Sequence, residues 1–109
     1  MSVKEMSDEQ LSQWIIEKLG FYKGGCGWHD ATATFCLHHE PDMCSDPTMT
    51  VMLLGQLLDT GKAYWLERRG DGIVFQRSNA AQPRFCSTLS RAVAEAWALA
   101  NGLETETER

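Results

Sequence analysis

Residues 45–61, Ser-Asp-Pro-Thr-Met-Thr-Val-Met-Leu-Leu-Gly-Gln-Leu-Leu-Asp-Thr-Gly, carry a helix start, an apolar body and a helix stop in one run. Ser45 or Asp46 can accept from the free amides of a first turn, and Pro47 has no amide hydrogen to lose there. Gly61 can take the left-handed conformation that ends a helix. The spacing predicts a helix over about 47–59 whose apolar stripe is Thr50, Leu53, Leu54, Leu57 and Leu58. Val51 and Met52 widen that stripe, so this helix is expected to be covered on more than one side and to be the element on which the rest packs.

The other elements follow in order. Ser7 and Gln10 fit a capping box, Leu11, Trp14, Ile15 and Leu19 share a face, and Gly20 stops the turn, which predicts a first helix over 8–19. Residues 21–46 resist assignment: Gly24-Gly25-Cys26-Gly27 supports no regular element, and short strands are expected around Trp28-His29 and over 32–37. Ala63–Arg69 and Ile73–Arg77 read as a β-hairpin around Gly70-Asp71-Gly72, with a short third strand at 84–86. A third helix starts under Ser87 or Thr88 and carries Leu89, Ala92, Val93, Ala96, Ala100 and Leu103 on one face, small enough for close packing on a sheet. The order predicts an α+β fold, a small mostly antiparallel sheet with about three helices. With 109 residues, 43% of them hydrophobic, one domain is expected, its ordered core over about 8–103 and its polar, acidic tail at 104–109.

Glu17-Lys18-Leu19-Gly20, the glycine- and tryptophan-containing polar region, Ser45-Asp46-Pro47 before a leucine-rich helix, the aromatic hairpin and Thr88-Leu89-Ser90-Arg91-Ala92-Val93-Ala94-Glu95-Ala96 together resemble the phage ABA sandwich domain family. The resemblance spans about residues 8–103. It implies a three-layer α-β-α sandwich in a small phage or prophage protein, and it carries no catalytic motif. The Cys/His-rich segment departs from the family pattern.

Charge narrows the partners. The formal net charge of -5 argues against duplex nucleic acid, which normally demands a basic surface. The acids nonetheless gather in residues 1–62, whereas 63–95 hold Arg68, Arg69, Arg77, Arg84 and Arg91 against Glu67, Asp71 and Glu95. No apolar run approaches the roughly 20 residues of a membrane span, and the N-terminus lacks the order of a signal peptide. A soluble, cytoplasmic protein is therefore expected, its four cysteines reduced, and the family resemblance implies that the cell is an infected host.

Three constellations could carry chemistry. Cys26, His29, Cys36, His38 and Cys44, with His39 beside them, are the ligand types that tetrahedral zinc selects. Only Cys26-Gly27-Trp28-His29 has knuckle-like spacing, however, and the alternative is small buried thiols with solvated histidines. A cysteine nucleophile beside one of these histidines lacks an orienting acid, and the glycine run is no Walker loop because the Lys-Ser/Thr and helix are absent. No catalytic residue is assigned. Arg68, Arg77, Arg84 and Arg91, with Trp65 as a candidate aromatic wall, form the third set; arginine offers a planar fork for phosphate or carboxylate, and the start of helix three adds free amides. The alternative is exposed charge balancing Glu67, Asp71 and Glu95.

The sequence thus leads to a non-catalytic phage accessory protein that binds a host protein or itself as a homo-oligomer. A binder of an anionic, nucleotide-like small molecule is the second expectation, and a zinc-binding module the third.

Overall fold

The structure, a computed structural model, describes residues 3–25, 27–29, 36–37, 39–80 and 82–103. A 3-10 turn at Val3–Glu5 leads into α1 (Asp8–Leu19), capped as its sequence demands: Ser7 N–H donates to Gln10 Oε1 at 2.9 Å, and Gln10 N–H to Ser7 Oγ at 3.1 Å. Gly20, at φ 81°, closes that helix. Strands β1 (Tyr22–Gly24), β2 (Gly27–His29) and β3 (Cys36–Leu37) then form a small antiparallel sheet in that order. Trp28 and Leu37 stand opposite each other in it and pack toward the core. Of the strand expected over 32–37, residues 36–37 form β3, and 32–35 lie outside the described residues.

Helix α2 (Pro47–Asp59) begins where Asp46 Oδ1 accepts Thr48 N–H at 2.9 Å and gives way to Gly61 at φ 77°. Strands β4 (Tyr64–Arg69) and β5 (Gly72–Arg77) form the hairpin, and β6 (Phe85–Cys86) pairs with β5 on its far side. Helix α3 (Leu89–Ala100) follows under a Thr88 cap. The fold is α+β with three helices and antiparallel strands; those strands, expected in one sheet, divide between two of three each.

The centre is α3. It packs against α1, α2, β5 and β6, and every residue from Ala92 to Ala98 is buried. A helix buried all round needs small side chains on at least one face, and the alanines supply them. Helix α2, expected to hold that place, buries only Met49, Thr50, Leu53 and Leu57. Val51 and Leu58 are 68% and 55% exposed, so the apolar stripe is narrower than its composition suggested. Trp97 joins the layers: its ring meets Trp14 edge-on at 6.5 Å, and its Nε1–H donates to Gln56 Oε1 at 2.9 Å. The core also begins earlier in the chain than residue 8, since Val3 is buried against it. No helix among the described residues is long and apolar enough to cross a membrane.

Candidate functional site

A two-residue turn at Gly70-Asp71 pairs Arg69 with Gly72 and therefore sets Tyr64 directly opposite Arg77 at the far end of the hairpin. Directly paired residues share a sheet face. Tyr64 stacks on Phe75 at 5.1 Å, their rings only 7° from parallel, which holds the Tyr64 ring in a fixed plane. Arg84 reaches the same end from the loop before β6. Gln76, only 1% exposed, staples that loop: its Nε2–H donates to Gln82 O at 2.9 Å, and its Oε1 accepts Arg84 N–H at 2.8 Å.

Between these elements and the C-terminal half of α3 lies a cavity of about 400 Å³. Lys62, Tyr64, Arg77 and Arg84 line it together with Ala96, Leu99 and Ala100. Three cations thus face it, and no carboxylate is among its described lining residues. Arg84 is partly committed, since its Nε–H donates to Glu95 Oε1 at 3.0 Å and one terminal amine to Phe75 O at 3.3 Å. Arg77 is different: its Nε is buried and finds no hydrogen-bond acceptor among the described residues. A buried donor left unmade costs about 1–3 kcal/mol, more when charged.

The end of α3 works against an anion there, because a helix C-terminus carries partial negative charge. Some of that charge is already engaged. Asn101 Nδ2–H donates to Trp97 O at 2.9 Å, and Leu103 N–H donates to Ala98 O at 2.9 Å. The three cations therefore set the sign of the site.

The structure brings Arg77 and Arg84 together and places the other expected residues elsewhere. Arg68 is exposed, beside the turn and about 14 Å along the strand from the Tyr64 end, given roughly 3.4 Å per residue. Trp65 faces the opposite side of the sheet from Tyr64, donates to Glu67 Oε1 at 2.9 Å and carries Arg69 at 5.5 Å from its ring, so the aromatic wall is Tyr64. Arg91 is spent on structure: it pairs with Glu95 at 2.7 Å and Asp8 at 2.7 Å, and donates to Val3 O at 2.9 Å and Met6 O at 2.7 Å. The free amides at the start of α3 are not part of this cavity, which lies beside the helix's other end. Lys62, Tyr64 and Gln76 went unassigned in the sequence; the hairpin register is the signal that reaches Tyr64, because fixing the turn at 70–71 pairs it with Arg77.

Of the zinc set, Cys26 and His38 lie outside the described residues, as does the side chain of Cys36. His29 stacks on Tyr22 at 5.4 Å. Cys44 is buried, its thiol donating to Asp8 O at 3.5 Å, and burial pushes it up to about 12, with Arg91 opposing and Asp8 and Asp42 adding to the rise. No group of three or more potential metal ligands converges among the described residues.

Comparison of the chain with family models, with curated proteins and with solved structures finds no match in any of the three.

Proposed function

We propose that this chain is a non-catalytic binding protein that captures a small anionic ligand in the cavity between the β4–β5 hairpin and α3. The observation that carries this reading is a cavity lined by three cations, Lys62, Arg77 and Arg84, with no carboxylate among its described lining residues. Its volume of about 400 Å³ falls within the range of about 300–1,000 Å³ usual for small-molecule sites. The apolar strip of Ala96, Leu99 and Ala100 gives a ligand body something to lie on. Sequestration of a small molecule needs affinity and no chemistry, which suits the accessory role in an infected cell expected from the sequence.

Docking of a host protein or a second copy rests on less. Among the described residues the exposed large hydrophobics are Tyr22, Val51, Leu58, Leu66, Phe85 and Leu89, which come from five separate elements. A stable interface buries about 800 Å² on each partner, which calls for one contiguous patch.

Calorimetric titration with a panel of small carboxylates and phosphates, at low and moderate salt, tests the anion reading. Binding is expected, weakened by salt because the site is open to solvent. The double change Lys62→Ala with Arg77→Ala, which spares the Glu95 cluster, should abolish it while leaving the fold intact, and Arg77→Lys alone should weaken it because the fork is lost. Absence of binding by the unaltered chain to every member of the panel overturns the reading.

A further inference from the structure

We infer that the ligand is a phosphate monoester carrying a flat or apolar body, held by its doubly charged terminal phosphate; the inference rests on the anion-binding reading above. Charge is the first reason. Arg84 is compensated by Glu95, which it meets at 3.0 Å, whereas Lys62 and Arg77 have no carboxylate partner among the described residues. Two uncompensated cations call for about two negative charges, which a terminal phosphate supplies at pH above its second ionisation near 6. A phosphodiester or a single carboxylate supplies one and leaves a cation unmatched.

Donor geometry is the second reason. Arg77 lines the cavity with a guanidinium whose Nε has no acceptor among the described residues, and Arg84 has Nε and one terminal amine engaged, which leaves the other amine to donate. With Lys62 these come from three separate places in the chain, and a terminal phosphate offers three oxygens to meet them.

The third reason is room. An inorganic anion would fill a small part of about 400 Å³. Beside Thr60 and Gln76, the rest of the wall carries an apolar part: Ala80, Ala96 and Ala100 project only a methyl group each, Leu99 adds an aliphatic side chain, and the Tyr64 ring is held in plane by Phe75. Such a wall suits an aromatic or aliphatic ester group.

Calorimetry on the full chain at pH 8 and low salt, with phenyl phosphate, its methyl diester and inorganic phosphate, separates these terms. The monoester is expected to bind at least ten times more tightly than either of the others, and Arg77→Lys, checked for an unchanged melting curve, to lose most of that preference. A diester that binds as tightly as the monoester overturns the charge argument. Inorganic phosphate binding as tightly as phenyl phosphate overturns the body subsite. If carboxylates or other phosphates bind while phenyl phosphate shows no preference, this inference fails and the broader reading stands; if no anion binds at all, both fail.

Discussion

Glu95 is 2% exposed and holds two guanidinium groups, Arg84 at 3.0 Å and Arg91 at 2.7 Å. It therefore links the ligand cavity to the N-terminal segment, because Arg91 also grips Asp8 and the carbonyls of Val3 and Met6. Burial by itself would lower the Arg91 ionisation, but its bond to Glu95, the charge of Glu95 and its bond to Asp8 outweigh that and raise it. Removing one member of such a cluster leaves buried charge behind, so Glu95→Ala should cost about 3–5 kcal/mol, read from urea unfolding. An unchanged midpoint would show the cluster to be idle. The two described thiols give a pH signature of their own. Burial is the main cause raising Cys44 to about 12 and Cys86 to about 11, with Glu95 adding to the latter. Because the folded values lie above the ordinary 9.0, their contribution to stability is whole below about pH 9 and is lost as pH rises through 11 to 12. The urea midpoint should accordingly fall between pH 9 and 11, and fall less steeply in Cys44→Ala; equal slopes would contradict the buried-thiol account.

Helix ends were legible because caps are local. Ser7 with Gln10, Asp46 with Pro47, and Thr88 each act within three residues, and each sits where its side chain chemistry directs. Which helix lies at the centre was not legible, because that is decided by what arrives from elsewhere in the chain. Leucine-rich α2 looked wider than α3, yet α1, α2, β5 and β6 fit together only around a helix of alanines, and α3 took the middle. The same limit applied to the arginines: Arg91 and Glu95 are four apart on one helix, a spacing that signals an ion pair, but the tie to Val3 and Met6 spans more than eighty residues. Within α2 the burial pattern makes a sharp contrast. Leu57 is 1% exposed, and Leu57→Ala should cost about 2–5 kcal/mol. Val51 is 68% exposed, and Val51→Ser should change stability by no more than about 0.5 kcal/mol. Chemical denaturation of the two variants side by side checks the assignment, and similar losses for both would reverse it.

At the scale of the molecule, an acidic chain of net charge -5 concentrates its arginines in the second half, and the fold spends them unequally. Arg91 ties α3 to the N-terminal segment and Arg84 is partly spent on Glu95, while Arg77, whose Nε has no acceptor among the described residues, lines a cavity that contains no described carboxylate. Structural and binding roles thus meet at Glu95, one residue from Ala96 in the cavity wall. The most direct measurement is therefore of the Arg77 Nε–H itself, followed by nitrogen–proton correlation spectroscopy while phenyl phosphate is titrated into the labelled protein. The account predicts that this resonance shifts saturably, together with the amides of Tyr64, Leu99 and Ala100. A saturable response on another surface with the Arg77 Nε–H unmoved would contradict it.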